Sequence, residues 1–111
     1  ARFARSFASD KFRFNHWGRI KINYELSQRG IPAALREAAL EAIEEEPYRE
    51  TLTDLLRAKL RSTKAKNAYE LVQKLLRFAA SRGFESSLAL ECTRTLLHED
   101  ADDALDAFDS E

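Results

Sequence analysis

Side chains able to do chemistry are sparse in this 111-residue chain. His16 and His98 stand far apart, and neither has a cysteine or a second histidine at zinc-ligand spacing. The lone Cys92 lies four residues from both Leu88 and Leu96, the place of a small core side chain on a helix and not of a paired thiol. Three isolated glycines make neither a phosphate loop nor a dinucleotide fingerprint, and no serine sits in a nucleophile elbow. The run Glu44-Glu45-Glu46 reads as solvated acids beside a helix start, where negative charge is favourable. The sequence therefore predicts a non-enzymatic protein with no metal and no cofactor. What remains is charge.

Charge is strongly ordered along the chain. The net value of -1 conceals +5 over residues 1–30, -5 over 31–56, +7 over 57–84 and -8 over 85–111. Solubility alone does not require such segregation, which steers a molecule toward a charged partner.

The elements that must position these charges repeat. Leu26-Ser27-Gln28-Arg29-Gly30-Ile31 and Ala79-Ala80-Ser81-Arg82-Gly83-Phe84 each place an Arg-Gly-apolar turn after an amphipathic segment, 53 positions apart. At the same offset Phe3 falls on Leu56, Phe7 on Leu60, Ile22 on Leu75, Leu35 on Leu88, Ala39 on Cys92 and Ile43 on Leu96. A repeat of this length predicts stacked helical units. Only three glycines and two prolines leave too few turns for a β-sandwich, so the fold class is all-α: two visible three-helix repeats in an elongated, curved array, plus a short amphipathic C-terminal segment.

In the first unit, helical spacing covers Phe3 and Phe7, then Trp17 to Leu26, and Gly30 ends the second helix in the left-handed conformation. Pro32 opens a third helix with Leu35, Ala38, Ala39, Ala42 and Ile43 as its buried stripe, ending near Glu46. Pro47 opens the second unit. Leu52 to Leu60, Leu71 to Ala79 and Leu88 to Leu96 mark its helices, the last capped by Ser86 or Ser87. The predicted boundaries are residues 1–46, 47–97 and an acidic tail over 98–111, where Ala101, Ala104, Leu105 and Phe108 keep helical spacing suited to docking on a neighbouring surface. No apolar run reaches the ~20 residues of a membrane span, which predicts a cytoplasmic protein. The chain starts without Met and enters a helical pattern at once, as expected of a fragment.

The segment from Trp17 to Ile31, with its Arg29-Gly30-Ile31 end, followed by an Ala/Leu-rich helix and an acidic turn, resembles the most recognisable motif of RecX proteins. Leu75-Leu76-Arg77-Phe78-Ala79-Ala80-Ser81-Arg82-Gly83-Phe84 resembles a later segment of the same family. The resemblance covers residues 1 to about 97. It implies tandem three-helix repeats, and a regulator of the RecA recombinase that lodges in the groove of the RecA filament on single-stranded DNA. That family usually carries three repeats, so two are expected of a chain trimmed at its N-terminus.

Such a location gives both signs of charge a counterpart, phosphate for the cations and protein for the acids. The expected contacts are Lys11, Arg13, Arg19 and Lys21 in the first unit, with Lys59, Arg61, Lys64 and Lys66 in the second. They would meet the RecA filament, or single-stranded DNA directly or through RecA. Lysine-rich links are also common as plain solvated surface. Trp17 and Tyr24 offer rings for stacking on a base, but their i, i+7 spacing on an apolar face favours core packing. Arg29 and Arg82 each precede a helix-ending glycine, where a cation complements the helix C-terminus without any partner.

Overall fold

A computed structural model describes the chain over residues 2–99, and its backbone alone over 100–109. Six helices follow one another: α1 (Arg2–Asn15), α2 (Arg19–Gln28), α3 (Ala33–Glu41), α4 (Glu45–Ser62), α5 (Ala68–Ser81) and α6 (Ser86–Asp109). Helices α1 to α3 pack on one another, as do α4 to α6, and the array is elongated at 58 × 25 × 20 Å. The tandem helical repeat is thus visible as two groups of three.

The Arg-Gly turns anchor the repeat. Gly30 and Gly83 take positive φ values of 77° and 89°. After each, Ile31 and Phe84 donate their N–H groups to the carbonyls of Leu26 and Ala79, while the glycines donate to Ser27 and Ala80. This paired pattern satisfies carbonyls that a helix end would otherwise leave open. Helices α2 and α5 consequently end, and α3 and α6 begin, 53 residues apart.

The core is formed by apolar stripes facing inward from every helix, with Ile22, Leu26, Tyr48, Leu52, Leu56, Leu75 and Phe84 fully buried. Each contributes on the order of 1.5–3 kcal/mol. Cys92 is buried among them, as its spacing predicts.

Several expectations change. The third helix ends at Glu41, short of Glu46, and α4 starts two residues ahead of Pro47, so Glu45 and Glu46 fall in the first turn of α4, where they favour its dipole. Of the stripe assigned to α3, only Ala39 and Ile43 are buried. Leu35, Ala38 and Ala42 line clefts beside α1, whose buried side chains include the small Ala4 and Ala8 and whose Arg2, Arg5 and Arg13 border the clefts. Phe3 is likewise exposed, although its counterpart Leu56 is buried. Ser86 and Ser87 lie inside the first turn of α6, so neither is its cap; on α5 the capping residue is Asn67, whose side chain accepts from the Glu70 N–H at 2.8 Å. The stripe expected at Ala101, Ala104, Leu105 and Phe108 lies outside the described side chains.

Candidate nucleic-acid interface

The two helical groups are joined at the N-terminus of α2. Gly18 N–H donates to the Arg82 carbonyl at 2.7 Å and Ile20 N–H to the Gly83 carbonyl at 2.9 Å. Between them, Arg19 N–H donates to the hydroxyl of Tyr48 at 2.8 Å. Glycine is needed at both sides of this joint: a Cβ on Gly18 would stand 2.3 Å from the Gly83 carbonyl carbon, and one on Gly83 2.3 Å from Lys21 Cβ.

Arg19 is absorbed by the joint. Its guanidinium lies 3.8 Å from the Tyr48 ring centroid and bonds Glu45 at 3.0 Å, Glu85 at 3.2 Å and the Ile43 carbonyl at 3.2 Å. Burial would weaken its charge, but the Glu45 and Glu85 carboxylates outweigh that and hold its pKa above the ordinary arginine value. Tyr48 completes the set by donating to Glu85. Expected as a partner contact, Arg19 instead has its charge committed inside the protein.

Other predicted cations gather along one side of the joint. The amines of Lys11 and Lys21 lie over the Trp17 ring at 4.9 and 4.6 Å. Trp17 is half-buried, with Phe7 edge-on at 6.4 Å, and Arg29 covers the Phe7 ring at 4.6 Å. The Gly83 turn rests against the backbone of Lys21, which brings Arg82 beside this group. Arg82 and Lys59 then flank the Phe78 ring, each at 5.3 Å. Beyond Phe78 an open groove is lined by Lys59, Thr63, Lys64, Lys74, Arg77 and Ser81. The result is a stripe in which cations alternate with rings across both helical groups. Among the described residues, Lys11, Lys21, Lys59, Lys64, Arg77 and Arg82 enter no ion pair.

The remaining predicted residues lie elsewhere. Arg13 is roughly 200° around α1 from Lys11; it packs on Phe14 and borders the cleft with Phe12, Ala42 and Pro47. Arg61 is exposed in the last turn of α4, and Lys66 is exposed in the following link with its N–H bonded to Glu70. Tyr24, expected in the core, is 60% exposed, and Ile20 beside it is 55% exposed, because α2 turns Ile22 and Leu26 inward and no helix among the described residues covers its other face. Lys74, Arg77, Phe7 and Phe78 join the stripe without having been singled out as contacts, and Arg29 and Arg82, read from the sequence as helix-end cations, lie in it too. A signal for three of them exists: at the 53-residue offset Lys11 pairs with Lys64, Lys21 with Lys74 and Arg29 with Arg82.

Within the stripe Glu25 pairs with Arg29 at 3.0 Å and Glu70 with Lys74 at 3.3 Å, and a larger group of acids occupies a different face. On α4, Lys59 turns toward α5, whereas Arg49 bonds Glu91 of α6 at 2.8 Å and Arg57 approaches Glu99 at 3.6 Å. Glu46, Glu50 and Asp54 surround those two arginines. Among the described residues, the cation-ring stripe is thus distinct from an acid-rich face on α4 and α6. A stripe of this composition suits a flexible polyanion carrying flat bases. Among the described residues no group of acids, histidines and cysteines could hold a metal, and no helix is long and apolar enough to cross a membrane.

Comparison with known proteins agrees with this architecture. Family models for the second and third three-helix domains of RecX match residues 1–40 and 46–92. The chain is 28% identical over 101 residues to the regulatory protein RecX of Streptomyces coelicolor and to that of Streptomyces lividans, covering 91% of this chain and 54% of each relative. It is 32% identical over 84 residues to the regulatory protein RecX of Clostridium botulinum, covering 74% of this chain and 39% of that one. The chain therefore spans about half the length of the Streptomyces relatives. No solved structure matches. With successive three-helix domains matched in order onto two successive groups of three helices, the chain belongs to the RecX family.

Proposed function

We propose that this protein regulates homologous recombination and DNA repair in the cytoplasm by binding the RecA filament on single-stranded DNA and inhibiting its ATPase and strand-exchange activities. It acts by occupancy, without turnover of its own, through units spanning 1–46 and 47–97. The observation that carries this reading is the separation of a cation-ring stripe from an acid-rich face on one elongated body. A nucleoprotein filament presents phosphate and protein side by side, and an elongated body with two such faces can engage both at once. The stripe takes the DNA side, with Lys11, Lys21, Lys59 and Lys64 as contacts. Arg61 and Lys66 extend the same charge at the link between α4 and α5.

The test is the single-stranded-DNA-dependent ATPase of assembled RecA filaments titrated with this chain. Dose-dependent inhibition below one copy per RecA is expected. A flat rate, both with this chain and with a longer homologue carrying a further three-helix domain, would sink the proposal.

A second reading, single-stranded-DNA binding without RecA, is favoured by the same stripe. It predicts an affinity that falls log-linearly with salt when no RecA is present.

A further inference from the structure

The repeat duplicates the stripe's cations and changes what stands between them. In the first unit Lys11 and Lys21 converge on Trp17. In the second unit their equivalents line one groove, and the Lys74 amine donates to the Lys64 backbone carbonyl at 2.6 Å. The residue equivalent to Trp17 at the 53-residue offset is Glu70. Its carboxylate holds the Lys74 amine at 3.3 Å and accepts the Lys66 N–H at 2.9 Å.

We propose that the stripe is a single-stranded nucleic-acid site made of two unequal halves: Lys11, Lys21 and Trp17 clamp a phosphate and stack its base, and Glu70 in the second half is a built-in counter-charge that the strand must displace. The inference rests on the reading of the stripe as the DNA-facing surface, and does not depend on RecA.

Physical chemistry gives each half its behaviour. An ammonium over a ring is weakly held, whereas an ammonium on a phosphate exchanges condensed counterions for a direct ion pair. When Lys11 and Lys21 move to phosphate, the Trp17 face they covered opens to a base, and stacking there is indifferent to sequence. A duplex keeps its bases stacked on one another and offers only phosphate. In the second half, Lys74 meets phosphate only after leaving Glu70, so this half engages more weakly and responds less steeply to salt.

Trp17 is the only tryptophan, so its emission reports on the first half alone. The experiment titrates the intact chain, without RecA, with a dye-labelled thymidine oligomer, the matching uridine oligomer and a duplex of equal length, following dye anisotropy and Trp17 emission together. Quenching that tracks binding by either single strand, weaker binding by the duplex and no quenching by it are expected; the tighter of the two single strands identifies the preferred sugar. Glu70→Gln is the companion variant, since glutamine keeps an acceptor for the Lys66 N–H and loses the charge. It is expected to bind the oligomer about three- to fivefold tighter at low salt, the gain fading as salt rises. A thermal midpoint equal to that of the wild type shows that the gain does not come from misfolding. Oligomer binding with unchanged Trp17 emission, together with an inert Glu70→Gln, would overturn this inference and leave the DNA-facing stripe standing. Absence of binding to all three probes would overturn both.

Discussion

The backbone N–H of Arg19 donates to the hydroxyl of Tyr48 at 2.8 Å, so a side chain buried in one helical group caps a helix of the other. With Gly18 on the Arg82 carbonyl and Ile20 on the Gly83 carbonyl, three of the four donors that a helix start leaves open are satisfied from across the joint. The two halves of the stripe are held in line by the same bonds, because Arg82 and Lys21 border the joint they make.

Tyr48→Phe should therefore cost more than one hydrogen bond. It strands the Arg19 N–H and removes the Glu85 carboxylate's phenol partner, which predicts a loss of about 1–3 kcal/mol in denaturant unfolding. Alkaline pH gives an independent check. Burial first, then the Glu85 carboxylate, push the Tyr48 pKa well above the ordinary tyrosine value of 10.0. The folded chain keeps a proton that the unfolded chain gives up, so this contribution is complete below about pH 10 and declines as pH rises further. Tyr48→Phe should lack that part of the decline; an identical alkaline slope in both proteins would contradict the assignment.

Gly30 and Gly83 share a conformation but not a setting. A Cβ on Gly30 meets nothing within 4 Å, whereas one on Gly83 falls 2.3 Å from Lys21 Cβ and 2.7 Å from Lys21 N. Gly30→Ala should lower stability by about 1 kcal/mol, the cost of a left-handed backbone. Gly83→Ala should lower it by at least twice that, since the joint must open as well. Equal thermal midpoints for the two variants would remove Gly83 from the joint.

Much of the architecture was legible because a 53-residue spacing and two Arg-Gly turns are local signals. The positions of Gly30, Gly83 and Cys92 follow from spacing alone. Leu35 and Tyr24 were misplaced because periodicity shows which residues share a face and not whether another helix covers it. The internal pairing of Arg19 was hidden for a related reason: its partners Glu45 and Glu85 are 26 and 66 positions away, and nothing near Arg19 marks them. The stripe lay in between. Its lysines were visible as charge, and the offset pairs Lys21 with Lys74, but Phe78 enters only once the helices are packed.

Thr93 is fully buried, and among the described residues its hydroxyl has no hydrogen-bond partner. A buried hydroxyl without a partner forfeits its hydration and gains nothing in return. Thr93→Val keeps the shape and removes the polar atom, so it should stabilise the protein by roughly 1 kcal/mol, read as a higher thermal midpoint. A lower midpoint would mean that the hydroxyl is in fact satisfied.

The stripe can be separated from the acid-rich face by changing each without touching the core. Lys11→Gln with Lys21→Gln removes two cations that enter no ion pair among the described residues. Arg49→Gln removes a cation from the acid-rich face, breaking an exposed pair with Glu91 of the kind that contributes little to stability. If DNA lies along the stripe, the double variant should need about tenfold more protein for half-maximal inhibition of the RecA ATPase. Its log-log salt dependence should also be shallower by about 0.7 for each phosphate that is no longer neutralised. Arg49→Gln should keep the wild-type salt dependence, because its cation faces the acids Glu46, Glu50 and Asp54 and not the stripe. Should Arg49→Gln flatten the salt dependence while the lysine variant leaves it intact, the two faces would have to exchange roles, with the phosphates running along the α4 and α6 side.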